Sequence, residues 1–304
     1  MIEMNIKKFV DRRKELRISQ VKMCEGICTQ STLSKFESSG RVPSLVILTQ
    51  LCTRIGLTID DLNSDEISST NQIQKQLDTA ERKLAMGDYQ TVLQTISGID
   101  EEQISPIPLR IQFYYLRGML NALINRAPEV VLYDFSQILN DLDERHDTIF
   151  SQLAYVGSGL TYIRKKQFER AQFYFCKVND FIKTQLERPQ SDDDPRRDDL
   201  RLLTLIFYTA YYYALQDQLT TSDELIETGM NLCSIKHVTY YLPRLKFLAA
   251  ENAIREKQEK TQVEDLMTEA RVFANLNKNQ IITVKLAALR NRYAKGLDLQ
   301  DLVP

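Results

Sequence analysis

The sequence predicts an all-α protein in which a small N-terminal domain precedes a longer array of antiparallel helix pairs. Glycine and proline number only 10 and 8 among 304 residues, and so few turn-forming residues favour long helices over many short strands. Amphipathic helical segments recur along the chain, and residues 63–72 interrupt them with a polar stretch that predicts a linker. We therefore expect one domain at residues 1–65 and another at residues 66–304.

The composition is that of a globular protein, with 43% hydrophobic and 26% charged residues. The net charge of −2 excludes a chain that is basic over its whole surface, so any nucleic-acid contact must come from a local patch. Residues 1–65 hold ten Lys and Arg against eight Asp and Glu, which is the sign that such a patch needs. Residues 188–195 contain two prolines and three aspartates and predict an exposed loop.

The same survey disfavours membrane, metal and catalytic functions. The charged N-terminal segment lacks the apolar core of a signal peptide, and no apolar run reaches the ~18–20 residues of a membrane span. Five cysteines at irregular spacing fit no disulfide framework, and two distant histidines fit no zinc site. We expect a cytoplasmic protein without a cofactor, a bound metal or an enzymatic activity.

Two short capped helices stand near the N-terminus. Ser19 precedes a helical segment at residues 20–25, Gly26 marks a turn, and Thr29 precedes a second segment at residues 30–37. Two such helices, supported by neighbouring helices, form a helix-turn-helix. The supporting helix at residues 44–55 is expected to direct one apolar face inward: Leu45, Leu48, Leu51, Cys52 and Ile55.

The second helix of such a motif enters the major groove of DNA and reads base edges with its first turns. Gln can pair with adenine and Lys can donate to guanine, whereas Leu33 and Phe36 are expected to face the domain core. The candidate base-reading residues are Gln30, Ser31, Thr32 and Lys35, and the candidate phosphate contacts are Arg13, Gln20, Lys22 and Arg41.

A repeated pattern fills the rest of the chain. Its clearest copy consists of Tyr155, Gly159, Tyr162, Ala171 and Phe175, in which small Gly159 and Ala171 allow two antiparallel helices to approach. Weaker copies lie near residues 80–96, 114–130 and 206–226. Segments 238–257, 263–275 and 280–293 complete a fifth pair and a capping helix.

These residues carry two resemblances. The clearest repeat resembles the tetratricopeptide pattern, with Tyr155 in place of Trp and Ser158 in place of Leu, and this implies a right-handed superhelical array. The motif from Gln20 to Gly40 resembles the Cro/repressor (XRE) helix-turn-helix, with a turn one residue shorter than usual. That shorter turn is similar to the one in the peptide-pheromone regulators of the Rgg/PlcR/PrgX (RRNPP) group.

The first helix of each pair builds the concave surface of such an array. The run at residues 207–213 is rich in Tyr, which combines apolar area with a polar tip. Extending the repeat spacing along the chain gives these candidate peptide-binding residues: Gln112, Tyr115, Met119, Val156, Leu160, Arg164, Thr204, Phe207, Tyr208, Tyr211, Asn252 and Arg255.

The resemblance implies a homodimeric transcription regulator that binds double-stranded DNA at a palindromic operator and a short signalling peptide in its repeats. One alternative is a non-enzymatic repeat scaffold that binds a protein partner. Another is an enzyme or phosphatase-like regulator built on the repeats, which the helix-turn-helix and the missing acid–base cluster disfavour.

Overall fold

The structure is a computed structural model that describes residues 4–59, 61–62, 65–187 and 199–296, without the side chains of residues 65–69. Its regular elements in those ranges are helices, which confirms the all-α prediction. The chain forms two compact units, Met1–Lys75 and Gln76–Pro304, so the division lies inside a helix that begins at Asp65. The predicted loop at residues 188–195 lies outside the described residues.

The first unit is a small helical bundle. Phe9 and Phe36 meet edge to face at its centre, with ring centroids 5.3 Å apart, and Leu33 is fully buried beside them. The predicted inward direction of Leu33 and Phe36 is therefore confirmed. The helices of this unit are α1 (Ile6–Glu15), α2 (Gln20–Cys24), α3 (Gln30–Ser39), α4 (Leu45–Arg54) and the first turns of α5 (Asp65–Met86).

Two expectations for this part of the chain are wrong. Leu45 is 69% exposed, because α4 begins with this residue and reaches the core only from Ile47 onward. The predicted linker is helical from Asp65. A helix satisfies its backbone hydrogen bonds internally, so a polar segment can extend α5 when later turns are anchored, as they are by buried Leu77 and Ala80.

The second unit is an array of antiparallel helix pairs, as predicted. Within it α7 packs on α8, α9 on α10, α11 on α12, and α13 on α14, while α7, α9, α11, α13 and α15 follow one another along the array. Its α-helices after α5 are α6 (Tyr89–Ser97), α7 (Ile107–Leu123), α8 (Pro128–Ser136), α9 (Ile149–Arg164), α10 (Phe168–Glu187), α11 (Asp199–Leu215), α12 (Leu219–Ile235), α13 (Leu242–Arg255), α14 (Lys260–Leu276) and α15 (Gln280–Ala294), and it also contains a 3-10 helix (Glu101–Gln103) and a π-helix (Gln137–Leu142).

The clearest repeat packs for the reason that its sequence indicates. A Cβ atom added to Gly159 would stand 2.6 Å from Cε2 of Phe175, so only glycine allows this ring to lie against α9. The ring of Phe175 also stacks on Tyr212 of the following pair, at 4.5 Å between centroids. Gly159 and Ala171 therefore set the spacing inside the pair, and Phe175 joins it to the next.

The two ends of the array touch each other. Arg244 on α13 donates hydrogen bonds to the carbonyl oxygen of Leu84 and to the hydroxyl of Tyr89, each at 3.3 Å. A Cβ atom on Gly87, which has a φ of +81°, would lie 3.3 Å from Oδ1 of Asn279. The first pair therefore closes on the last, and the inner face of the array surrounds a cavity.

The cysteines of the first unit behave as small apolar side chains. Burial raises the pKa of Cys24 and of Cys52 to about 11, so both thiols stay protonated near neutral pH. Cys28 is partly buried at the edge of the same core. Among the helices of the described ranges, none combines the length and the apolar composition that a membrane span requires.

Candidate nucleic-acid interface and inner cavity

Side-chain caps place α2 and α3 where the sequence predicts them. The hydroxyl of Ser19 accepts a hydrogen bond from the backbone N–H of Lys22, and that of Thr29 accepts one from Thr32, both at 3.3 Å. Gly40 ends α3 in the left-handed conformation, with a φ of +73°. These caps fix both ends of the predicted recognition helix.

Three of the predicted base-reading residues are exposed on α3. Gln30, Ser31 and Lys35 are open to solvent, on a helix whose buried residues are Leu33 and Phe36. Thr32 is half-buried, and its hydroxyl lies 2.9 Å from that of Thr29, so it also belongs to the helix cap. The structure therefore brings the Gln and Lys side chains to an accessible surface.

A chain of amide hydrogen bonds orients this surface. Nε2 of Gln20 donates to Oε2 of Glu37 at 2.8 Å, and Nε2 of Gln30 donates to Oε1 of Gln20 at 3.4 Å. Gln20 is thereby held between α2 and α3. Its fixed amide presents Gln30 in a defined direction, which is the requirement for reading a base edge.

Arg13 is not on the exposed surface, contrary to its predicted role as a phosphate contact. It is buried, its Nε and Nη2 donate to Glu37, and its Nη1 donates to the carbonyl oxygen of Ile18 at 2.6 Å. The sequence could not show this, because the cluster of basic residues on α1 does not reveal which one faces α3. The predicted phosphate contacts Lys22 and Arg41 are exposed and form no ion pair among the described residues.

Arg54 has a role that the sequence analysis missed. Its Nη1 donates to the carbonyl oxygens of Met23 at 3.0 Å and Glu25 at 2.7 Å. These carbonyls end α2, so Arg54 fixes the turn into the recognition helix. A cation in the last turn of a helix usually interacts with the terminal carbonyl oxygens of that same helix. Nothing in the sequence indicated that Arg54 would instead contact those of α2.

The cavity on the inner face of the array has a volume of about 280 Å³. This volume lies near the lower end of the range for ligand pockets. Its walls come from six helices of the second unit, α6, α7, α9, α11, α13 and α15. The lining residues are Tyr89, Leu123, Arg164, Phe207, Tyr208, Tyr211, Arg244, Phe247, Leu248, Glu251, Ile281, Ile282 and Lys285.

Four of the predicted peptide-binding residues line this cavity: Arg164, Phe207, Tyr208 and Tyr211. The Nη2 of Arg164 donates to the carbonyl oxygen of Leu123 at 2.9 Å and its Nη1 donates to that of Ala122, so this residue also caps α7. The hydroxyl of Tyr211 is buried and has no hydrogen-bond partner among the described residues. Burial also raises the pKa of Tyr211, so its hydroxyl remains a donor.

The other predicted residues do not line the cavity. Gln112 donates to Asp78 at 3.0 Å and to Glu81 at 2.8 Å, inside an interior polar network. Arg255 donates to the carbonyl oxygen of Ala214 at 2.6 Å and so caps α11. The remaining six are buried in helix packing: Tyr115, Met119, Val156, Leu160, Thr204 and Asn252.

Thr204 and Asn252 show why these positions were misplaced. Thr204 accepts a hydrogen bond from the hydroxyl of Tyr241 at 2.8 Å, and Asn252 donates to Ser222 and Asp223. Both side chains therefore point between helices. Repeat spacing predicts reliably which helix contains a residue. An error of one position in the register, however, moves the predicted side chain from the inner face to a helix interface.

The charged wall of the cavity comes from residues that the sequence analysis did not single out. Nη1 of Arg244 donates to the hydroxyl of Tyr208 at 2.9 Å. Burial raises the pKa of Glu251 to about 7, against the opposing effect of Arg255 and Lys285. Burial lowers the pKa of Lys285, and the charges of Arg244 and Arg164 add to this effect while Glu251 opposes it.

No protein-family model and no curated protein matches this sequence. Among solved structures, the chain is similar to PlcR of Bacillus thuringiensis in complex with the peptide PapR7 and DNA. The TM-score is 0.57 at 15% identity, over 93% of this chain and 99% of that one. It is also similar to ComR of S. thermophilus in complex with DNA and its signalling peptide ComS, with a TM-score of 0.55 at 18% identity, over 98% and 100% of the two chains.

A third match is ComR of Streptococcus vestibularis in complex with its cognate signalling peptide XIP. The TM-score is 0.51 at 17% identity, over 96% of this chain and 98% of that one. The three matches extend over both units of the chain. They show that the protein has the fold of PlcR and ComR, a helix-turn-helix followed by a tetratricopeptide-like array.

Proposed function

We propose that the protein is a sequence-specific transcription regulator whose repeat array binds a short signalling peptide, and that the peptide alters DNA binding in quorum sensing. The observation that carries this proposal is the presence, in one chain, of an oriented recognition surface and an inner cavity lined by six helices. PlcR and ComR, which have the same fold, were each crystallised with both DNA and a peptide.

The roles of the residues follow from their positions. Gln30 and Lys35 read base edges, assisted by Ser31 and Thr32, while Gln20 orients Gln30. Lys22 and Arg41 contact phosphates and set the register of the protein on DNA. The cavity binds part of the peptide through Phe207, Tyr208 and Tyr211, with Arg164 at its edge.

The proposal includes a homodimer that acts in the cytoplasm. Two recognition helices would read a palindrome with half-sites about one helical turn apart. By thermodynamic linkage, a peptide that changes the affinity for DNA must have its own affinity changed by DNA to the same extent. A binding function of this kind requires no catalytic group.

Fluorescence anisotropy tests the proposal with DNA from the region upstream of the protein's own gene. Gln30→Ala and Lys35→Ala should each weaken specific binding by about 1–3 kcal/mol and relax sequence preference. Lys183→Ala, an exposed lysine on α10, is the matched control and should bind like the unmodified protein.

Binding that depends on salt, shows no sequence preference and is unchanged in both recognition-helix variants would overturn the proposal. That outcome would favour the alternative of a repeat scaffold for a protein partner.

A further inference from the structure

The inner cavity contains more positive than negative charge. Arg164, Arg244 and Lys285 line it together with a single acid, Glu251. None of the three cations forms an ion pair with any residue that the structure describes, and neither does Glu251. Even with Glu251 ionised, two positive charges in this wall have no negative counterpart.

Arg244 shows how unusual this arrangement is. Only 5% of the residue is exposed, and its hydrogen-bond acceptors are neutral: two tyrosine hydroxyls and the carbonyl oxygen of Leu84. A buried cation is unfavourable unless an opposite charge or strong hydrogen bonds compensate for its lost hydration. Neutral acceptors compensate only in part, so a negative charge brought into the cavity would be stabilised.

A second observation points to a ligand at the same place. The hydroxyl of Tyr211 lines the cavity and is buried without a hydrogen-bond partner in the described part of the chain. A buried hydroxyl without an acceptor is less stable than a hydroxyl that donates to water. An acceptor in the cavity would remove this free-energy cost. A carboxylate offers that acceptor and the missing negative charge in one group.

The rest of the wall is apolar. Phe207, Phe247 and Leu248 form one side, and Ile281 and Ile282 at the start of α15 form another. A carboxylate alone would leave these surfaces in contact with water. The cavity therefore fits a group that carries an apolar side chain beside a carboxylate.

We infer that the cavity binds the part of a peptide in which a carboxylate adjoins an apolar side chain, with Lys285, Arg244 and the Tyr211 hydroxyl facing the carboxylate. This inference rests on the proposed function, because it names the chemistry of the peptide at that site. The carboxylate can be the C-terminus of the peptide or an acidic side chain next to an apolar residue.

Calorimetry on the full chain at pH 7.5 tests the inference with three tripeptides. The first is N-acetyl-Ile-Leu-Phe with a free C-terminal carboxylate, the second is its C-terminal amide, and the third is N-acetyl-Ile-Glu-Phe amide. We expect the free acid to bind at least tenfold more tightly than the first amide. Comparable binding by the Glu-containing amide would identify an acidic side chain as an equally good source of the carboxylate.

Two variants test whether Lys285 and Tyr211 cause the preference for the acid over the amide. Lys285→Met keeps the length of the side chain and should reduce the preference for acid over amide at least threefold, and Tyr211→Phe should reduce it without changing the ring. Lys183→Met, on the exposed side of α10, should leave the preference unchanged. Thermal unfolding of each variant verifies that it is folded.

Equal binding of acid and amide, or no binding of any tripeptide, would overturn the inference. So would an acid preference that persists in both variants. None of these results affects the DNA-binding test of Gln30 and Lys35, so failure of this inference is distinguishable from failure of the proposed function.

Discussion

The guanidinium of Arg13 forms two hydrogen bonds to the carboxylate of Glu37, at 2.7 and 2.8 Å, and joins α1 to the recognition helix. The side chains of the pair are 10% and 7% exposed. Oε2 of Glu37 also accepts the amide of Gln20, which in turn accepts that of Gln30. An internal ion pair thus supports the surface that we propose to contact DNA.

Loss of this ion pair should destabilise the first unit. Arg13→Gln leaves the carboxylate of Glu37 buried without a cation, and we expect a loss of about 3 kcal/mol of unfolding free energy. Urea unfolding followed by circular dichroism measures it. Lys8→Gln is the control, because Lys8 and Asp61 form a solvent-exposed pair at 3.7 Å, and its loss should change the unfolding free energy far less than Arg13→Gln does.

Replacement of both partners distinguishes a lost ion pair from a lost packing contact. Arg13→Met with Glu37→Met removes the stranded charge and should recover much of the stability. If the double variant is as unstable as Arg13→Gln, the carboxylate is not the cause.

Phosphate contacts should appear in the salt dependence of DNA binding. Lys22→Ala and Arg41→Ala should weaken binding to specific and unrelated DNA by similar factors. Each should also reduce the slope of log affinity against log salt concentration by about 0.9, since one fewer counterion is released. Anisotropy titrations at several salt concentrations measure the slope. Lys260→Ala, at the exposed first residue of α14, should not change the slope, and an unchanged slope for Lys22→Ala would remove Lys22 from the interface.

Packing of the clearest repeat depends on the missing side chain of Gly159. Gly159→Ala would place a Cβ atom 2.6 Å from the ring of Phe175, which is held in its stack with Tyr212. We expect a cost of about 1–3 kcal/mol, seen as a lower thermal midpoint. Gly98→Ala is the control: the nearest atom would be a carbonyl oxygen at 3.4 Å, and a similar loss there would refute the packing argument.

Glu251 should make stability depend on pH. Its pKa is raised from 4.5 to about 7, so the folded state holds a proton between these values that the unfolded state releases. The contribution of this proton to the unfolding free energy is fully present below pH 4.5 and is lost as the pH rises through 7. Glu251→Gln imitates the protonated acid and should be more stable than the unmodified protein at pH 8, by about 3 kcal/mol at most.

Chemical unfolding at pH 5, 6, 7 and 8 tests this expectation. The difference between Glu251→Gln and the unmodified protein should shrink steadily toward low pH. The positive charges of Lys285 and Arg255 favour the ionised form of Glu251 and so oppose the effect of burial on its pKa; they narrow the pH window without reversing its direction. Glu264→Gln, a substitution on the exposed side of α14, is the control variant, and a constant difference for Glu251→Gln would contradict the raised pKa.

Local sequence determined most of the secondary structure and one of the two candidate sites. The limits of α2 and α3 are set by contacts within a few residues: Ser19 caps the start of α2, Thr29 caps the start of α3, and Gly40 ends α3. Such caps and turns can be predicted from the sequence. Exposure of Gln30 and Lys35 followed from the burial of Leu33 and Phe36 on the same helix. In the array, Gly159 and Ala171 predicted a helix pair because their small side chains allow the adjacent helix to approach closely.

Tertiary structure alone decided which side chains meet. Arg13 became an internal partner of Glu37 because α1 packs on α3, although it stands among basic residues that remain in solvent. The cavity combines Tyr89 with Arg244 and Lys285, which are brought together only when the first pair contacts the last. Helical periodicity specifies the face of each helix, but the charge and shape of a cavity depend on how many helices are rotated against one another, and no local pattern encodes that.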